Sequence, residues 1–434
     1  MTERFPRYAL YAFVVGLPLH NLVMAELWEL GVRGVALDIV SAWKEALLAV
    51  ALGLVVWRQR GLPYKGTVTD SLALAYAAIV VLYALIPQDW LGGEASARGV
   101  LFGARHDLTP VAAFFLGRSL HFGRDELRRI ALLIVATASA VVVWGLLDIY
   151  AVSLQFWRDS GAPGWFREQL GLDYGRGLSG LPENFVYNTG DERPLRRLVS
   201  TFLSPLATAY LLLVAILAAT TWRGSRWLSV LSGVLLVGLL FTYSRTTLAA
   251  LLLALLVLAY ALRTWWPVAA AAVLLATSFF FIRAYPDIAP ETRFTPSELK
   301  IQRAGGREEE TSEDPFSRRE SSIDSHLDSL RDGIETVVEH PQGFGLGNAG
   351  VTAKRTGADI KAGESTYTEL GVDLGLLGML VFIAWNLSLL RRTLPRAPWL
   401  GAALAAVLAL GIQTDVIGVH WLAFVLWALA GERA

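Results

Sequence analysis

The sequence predicts an all-α polytopic membrane protein with about twelve transmembrane helices and one large extracytoplasmic loop. Three observations predict it. Hydrophobic residues make up 54% of the 434 residues and charged residues only 18%, with a mean hydropathy of +0.46, a balance foreign to soluble enzymes. Apolar runs long enough to cross the ~30 Å of bilayer hydrocarbon recur along the chain. The short loops that carry arginine and lysine fall at every second boundary between those runs. The formal net charge is zero, so no global field points to nucleic acid. There is no cysteine, which excludes disulfides, thiolate chemistry and Cys-ligated metals. No Asp-x-Asp or His cluster demands a metal, and no cofactor is expected.

The spans lie near 8–25, 35–57, 70–86, 107–120, 130–153, 200–221, 226–243, 246–262, 266–283, 367–390, 398–414 and 417–430. The first follows Met1 to Arg7 without a small-residue cleavage pattern and reads as a retained helix, not a signal peptide. The run from Trp227 to Leu262 is about 36 residues, or roughly 54 Å as one helix. It therefore divides into two antiparallel spans, with Arg245 at their tight turn. The last two spans are short, and 398–430 reads alternatively as a re-entrant pair. Residues 1–283 thus carry nine spans and an outer segment, 154–199; residues 284–366 form the large loop; residues 367–434 carry three spans.

Orientation follows from the basic residues. Arg58, Arg60 and Lys65, then Arg118, Arg124, Arg128 and Arg129, then Arg223 and Arg226, then Arg263, then Arg391, Arg392 and Arg396 all fall on one side of a twelve-span chain. That side is cytoplasmic and holds both termini. The other side receives 87–106, 154–199, the turn at Arg245, the 284–366 loop and the turn at Asp415. Within the loop, 300–320 is charged and reads as a mobile flap, with Gly305-Gly306 and Glu308-Glu309-Glu310. In 321–339, Ile323, Leu327, Leu330, Ile334, Val337 and Val338 recur at helical spacing, an amphipathic helix suited to lie on the membrane or cap a cavity. His340-Pro341 stops it.

The candidate chemistry sits on the outer side. Arginine at mid-bilayer costs roughly 2.5–3.5 kcal/mol on insertion scales, so it is moved to a boundary or given a task. Arg245, in Thr242-Tyr243-Ser244-Arg245-Thr246-Thr247, reads either as a bidentate phosphate clamp or as an interfacial side chain snorkelling from a helix end. Arg193, Arg196 and Arg197 before the sixth span oppose the positive-inside bias and read as a pyrophosphate site shared with Arg245, or as headgroup anchors. Arg98, Arg105 and His106 form a weaker third group. Gly343-Phe344-Gly345-Leu346-Gly347-Asn348 follows a helix instead of opening one, and lacks the Lys-Ser/Thr of a nucleotide loop. Glu364-Ser365-Thr366-Tyr367 precedes the tenth span, with Glu369 and Asp373 in its first turns. Glu364 is a candidate general base or a helix-start charge. His20, Asn21 and His420 read as packed or interfacial. Asp38, Lys44 and Glu45 read as pairing within span two.

These motifs resemble the O-antigen ligase/O-antigen polymerase superfamily of bacterial membrane glycosyltransferases. The resemblance rests on Arg197-Leu198-Val199-Ser200-Thr201-Phe202-Leu203-Ser204-Pro205, on Thr242-Tyr243-Ser244-Arg245, and on His340-Pro341 through Gly345, Gly347 and Asn348 to Tyr367 and Gly375-Leu376-Leu377-Gly378. It covers roughly residues 190–380, with Arg105 added from the first half. The resemblance implies a GT-C-like, metal-independent, inverting transferase in the bacterial inner membrane, with its active site facing the periplasm or exterior. It implies an undecaprenyl-pyrophosphate-linked oligosaccharide as donor, its pyrophosphate held by Arg105, Arg193, Arg197 and Arg245, and a glycan, lipid or protein acceptor. Ligases that modify lipid A-core carry His-Asn where this chain has Glu364-Ser365, which leaves Glu364 as the substitute base and His340 as a less well placed one. The lead expectation is a polysaccharide polymerase. The alternatives are a ligase, a transporter or flippase of the same lipid-linked sugar, and a non-catalytic scaffold. Against the transporter stand the single large outer loop and the lack of inverted halves.

Overall fold

The computed structural model describes residues 4–172, 178–187, 193–222, 226–304 and 321–434. Most of the expected flap (305–320) and Arg223 lie outside them. The first span is α1 (Phe5–Gly16), a tight turn at Leu17–Leu19, and α2 (His20–Glu29). The second is α3 (Val35–Ser41) and α4 (Trp43–Gln59), bent by 47° between them. Then follow α5 (Val68–Leu85), the short α6 (Gln88–Leu91), α7 (Ala97–Ser119) and α8 (Arg124–Ala151). The outer segment holds α9 (Leu154–Asp159), a π-helical turn Gly164–Gln169 and a two-residue hairpin, β1 (Val186–Tyr187) with β2 (Leu195–Arg196), paired antiparallel. Next come α10 (Pro205–Ala219), α11 (Arg226–Phe241), α12 (Arg245–Leu262), α13 (Trp266–Ile288) and α14 (Pro296–Ala304). The chain ends with α15 (Ser321–Glu339), α16 (Gly350–Thr356), α17 (Thr366–Arg396), α18 (Pro398–Leu410), a π-helical turn Leu422–Leu426 and α19 (Trp427–Arg433).

Among the described residues, seven helices are long and apolar enough to cross a membrane, or eight if the bent pair is one span. The remaining expected spans coincide with helices that miss that standard for visible reasons. Helix α7 carries Arg98, Arg105, His106, Asp107 and Arg118, and it is enclosed by α4, α5, α16 and α19. Helices α11 and α18 are apolar but short. The segment 398–434 runs from end to end and back. Ser365 Oγ donates to Gly411 O at one end, and Arg392 and Arg396 donate to Ala434 O at the other. Helices α7 and α19 approach backbone to backbone, because a Cβ at Gly117 would strike Ala428 O and one at Gly431 would strike Phe114 O; small residues permit such contact inside a membrane bundle.

The segments expected on opposite sides collect at opposite ends. At one end Arg7 pairs with Glu126 (2.6 Å), Phe122 N donates to Glu432 (2.9 Å), and Arg433 donates to Phe122 O. At the other, 87–107, the 154–199 segment, the turn before Arg245 and the loop after α13 are joined. Arg158 grips Glu298 (2.6 Å), Arg196 N donates to Pro290 O, Leu198 N to Phe241 O, and Asn348 meets Glu94 and Ala95.

Helix α17 is broken at Gly375, whose φ of 69° and ψ of 174° leave the helical ladder open. The glycine-rich loop closes it. Phe344 N donates to Val372 O and Leu376 N donates to Pro341 O (2.8 Å), while Gly343 lies against Gly375 where no side chain fits. Backbone broken at membrane depth is tolerated only when protein satisfies it in this way.

At the opposite end, Arg118 holds Asp70 through two hydrogen bonds (2.7 and 3.0 Å), both side chains buried, while Asp70 also caps α5 through Thr67. Asp70→Asn leaves the guanidinium buried and uncompensated. The expected cost is about 3–5 kcal/mol, read as a fall in the thermal midpoint of the detergent-purified protein by tryptophan fluorescence.

Candidate active site

Arg197 and Arg245 meet where α11 gives way to α12. Arg197 follows β2, and its Nε donates to Thr242 O (2.9 Å) while a terminal nitrogen lies 3.5 Å from Tyr243 O. Those carbonyls follow the last turn of α11, so the guanidinium sits at the negative end of that helix. Arg245 is the first residue of α12, its guanidinium 6.0 Å from the centre of the Tyr243 ring. Tyr243 stacks on Tyr285 (4.3 Å, 20°) and against Tyr187 (4.6 Å), an aromatic wall behind both cations. Burial, with repulsion from Arg245 added to it, pushes Arg197 down to about 10, which leaves it charged at neutral pH. From this turn α11 packs on α8 and α10, whereas α12 packs on α10, α13 and α18. The helices expected on either side of the Arg245 turn are present, α11 ending at Phe241 and α12 beginning at Arg245, and each packs mainly on other helices.

The neighbouring Arg196 is different. It is buried against Asp148 (3.3 Å) and donates to Val152 O, and Tyr285 Oη donates to its carbonyl. Arg193 is largely exposed beside Glu291 (3.6 Å). Arg105 lies 3.7 Å from Glu45 and packs on Phe102, in a separate cluster with Arg98 and Arg355. The geometry thus joins Arg197 to Arg245 and leaves Arg105 and Arg193 with other partners.

The loop end brings a histidine that sequence reasoning missed. His326 of α15 places Nδ1 2.5 Å from Glu364 Oε2. The hydrogen bond to Glu364 raises His326 above its usual 6.5, and Arg245 is near enough to oppose that rise. Glu364 takes a left-handed backbone (φ 67°) and is half exposed, whereas the next three residues are tied down. Ser365 Oγ donates to Gly411 O, Thr366 Oγ1 to Thr414 O (2.9 Å) and Tyr367 Oη to Leu408 O (2.6 Å). Leu203 and Tyr243, both at φ 50°, put similar left-handed residues in the other two motifs. Such backbone persists where the surroundings enforce it, often at working sites. Helix α15 is held by Gly333 against Thr368 and Val337 against Gly371. Its apolar stripe is split: Leu327, Ile334 and Val338 are exposed on its flank.

The glycine string is a fastening. Asn348, wholly buried, accepts from Glu94 N and Ala95 N and donates to Gln88 and Gly345 O. Gly347 N and Asn348 N donate to Asp373 (both 3.1 Å), Gly347 abuts Gly99, and Gly345 abuts Gln88. His340 ends α15 and lies on Phe344 (4.5 Å between rings). His20 and His420 are packed edge to face (6.0 Å), with Trp43 Nε1 donating to His20. A second polar knot, also unread in the sequence, joins His106 to Asp107 (2.8 Å) and Asp415 (3.0 Å) beside a cavity of about 10 Å³ shared with Glu369 and Asp373, room for one water.

The fold and this end of it define a multi-pass α-helical membrane protein with Arg197 and Arg245 beside a histidine–carboxylate pair. Residues 230–383, from α11 to the first half of α17, match the family model described as O-antigen ligase. That match supports the O-antigen ligase/O-antigen polymerase superfamily for this chain, and it takes in Arg245, His326, Asn348 and Glu364. None of the curated proteins matches the chain.

If Asn348 is a fastening, Asn348→Ala strands the amides of Glu94 and Ala95. The variant is expected to lose at least about 2 kcal/mol of stability, read as a lower unfolding midpoint in detergent.

Proposed function

We propose that the protein is a glycosyltransferase of the bacterial inner membrane that takes an undecaprenyl-pyrophosphate-linked oligosaccharide as donor and polymerises repeat units on the outer face. On this reading the chain crosses twelve times with both termini cytoplasmic, and the positive-inside bias supports an outward-facing Arg197–Arg245 end. The observation that carries the reading is the meeting of Arg197, Arg245, His326 and Glu364 at that end.

The chemistry follows from these groups. An acceptor hydroxyl gives its proton to Nε2 of neutral His326 as its oxygen attacks the anomeric carbon from the face opposite the pyrophosphate. The bond to the pyrophosphate breaks, the electron pair leaves on the phosphate oxygen, and the anomeric centre inverts. Arg197 and Arg245 hold the charge that develops there, the task a divalent cation performs in other transferases. Glu364, bonded to Nδ1, fixes the tautomer and stabilises the imidazolium. Glu364 is thereby a positioning partner and His326 the base, which modifies the expectation from sequence. Glu364-Ser365 at the position of the ligase His-Asn favours the polymerase. The family description, O-antigen ligase, favours transfer to a lipid or protein acceptor as the second reading.

Purified protein given a synthetic undecaprenyl-pyrophosphate repeat unit and no other acceptor is expected to yield a ladder of products. Product formed only after a lipid or protein acceptor is added makes the enzyme a ligase instead. Arg245→Lys keeps the charge but loses the fork, and is expected to lower turnover roughly 10²–10³-fold with the unfolding midpoint unchanged; wild-type turnover would refute the clamp. The base must be neutral, and Glu364 raises His326, so activity should fall as pH drops through that raised value. In Glu364→Gln the acidic limb of the pH–rate profile is expected to move to lower pH, with a reduced plateau. A limb that stays in place removes the pair from the mechanism.

A further inference from the structure

A second group of cations lies apart from the first. On α7, Arg98, Phe102 and Arg105 are spaced to share one face, and Arg355 reaches the same ring from the last turn of α16. Their guanidiniums lie 5.1, 5.0 and 4.9 Å from the centre of the Phe102 ring, so no two are more than about 10 Å apart. The carboxylates present do not saturate them. Arg98 is 3.9 Å from Asp38 and Arg105 is 3.7 Å from Glu45, both beyond hydrogen-bond length. Arg355 donates only its Nε, to Leu170 O, so its terminal nitrogens find no acceptor among the described residues. Buried Lys44 adds a fourth positive charge beside Glu45 (3.5 Å). Four cations thus face two carboxylates. The groups that act most strongly on Arg355 are Arg105, Arg98, Asp38 and Glu45, whereas Arg197 and Arg245 meet at the α11–α12 turn.

The surroundings say what kind of anion fits. Val35 and Ile39, on the bent helix that carries Asp38, and Leu101, between Arg98 and Arg105, are all exposed. Three unsaturated guanidinium forks beside exposed apolar side chains suit an anion that carries its own hydrocarbon tail at a membrane boundary.

We propose that Arg98, Arg105 and Arg355 form a second phosphate subsite, which holds the phosphate headgroup of a lipid-anchored acceptor while Arg197 and Arg245 hold the donor. The proposal rests on the transferase reading for its name as an acceptor site, but its binding can be measured without turnover. It reassigns Arg105 from the donor pyrophosphate to the acceptor.

The test counts lipid phosphates on the full-length protein by native mass spectrometry, with a C20 polyprenyl phosphate as probe and inorganic phosphate as competitor. Wild type is expected to bind two equivalents per chain. Arg98→Gln/Arg355→Gln is expected to keep one, and Arg245→Lys to keep the other. Arg98→Gln alone, at a mostly exposed side chain, is expected to weaken the second equivalent at least tenfold, which guards against misfolding of the double variant. In turnover, the double variant should raise KM for the acceptor and leave KM for the donor unchanged. A single equivalent on wild type, or two retained on the double variant, overturns the subsite. Displacement by inorganic phosphate at the affinity of the lipid shows a free-anion site and overturns the lipid acceptor. Loss of the second equivalent in Arg98→Gln/Arg355→Gln, with none lost in Arg245→Lys, would sink the donor reading and leave this subsite standing.

Discussion

The rest of the site depends on a break in α17. The bilayer offers no hydrogen bonds, so a helix interrupted at membrane depth needs another segment to satisfy its backbone. Gly375 opens the ladder, and Pro341 to Phe344 close it. That repair fixes the end of the large loop on α17. Asn348 then locks the loop to the chain entering α7, and Asp373 holds the amides of Gly347 and Asn348 from the same helix. With one end of α15 set by His340 and its face set by Gly333 and Val337, His326 has little choice but to meet Glu364. The segment between α13 and α17 thereby delivers one imidazole beside Arg245.

Charge pairing separates structural arginines from those with work left over. Arg118 with Asp70, Arg196 with Asp148 and Arg158 with Glu298 are closed units, buried and directly bonded. Each holds two elements together and offers nothing to a ligand. Arg197 is bonded only to carbonyls, which orient it at the end of α11 but leave its charge uncancelled by any carboxylate bond. Arg245 stands close enough to repel it, and that repulsion adds to burial in lowering the proton affinity of Arg197. That repulsion is relieved by an anion between them.

Much of this was legible in the sequence because it is local or periodic. Apolar runs marked where helices form, and seven or eight of the described helices are long and apolar enough to cross a membrane. Arg197 and Arg245 stood out in the sequence because, in the orientation expected from it, each breaks the positive-inside bias. His326 was not visible. It occupies a polar position on an amphipathic helix, 38 residues from its partner, and nothing in its neighbourhood marks it. Asp107 and Arg355 were hidden for the same reason. The glycine string was seen but its purpose was not, since its partners, Gln88, Gly99 and Gly375, are brought to it only by folding. The apolar stripe of α15 was read as one face, and only packing on α17 divides it into a seam and an exposed flank.

A transferase that joins two membrane-anchored sugars faces a problem of registration more than of affinity. Both tails lie in the bilayer, so both phosphates sit near the same plane, and a single cationic centre would bind either substrate in place of the other. Two centres built from different elements remove that ambiguity. The proposed donor pair meets at the α11–α12 turn, and the second group lies on α7 and α16, next to the bent second span. The elements between them are not inert. His106, on the turn of α7 that carries Arg105, is tied to Asp415, and Asp415 sits in the turn that also receives Thr366 two residues beyond Glu364. The knot of His106, Asp107 and Asp415 therefore ties the helix that carries Arg98 and Arg105 to the segment that carries Glu364, so the two groups of cations are joined through directly bonded elements.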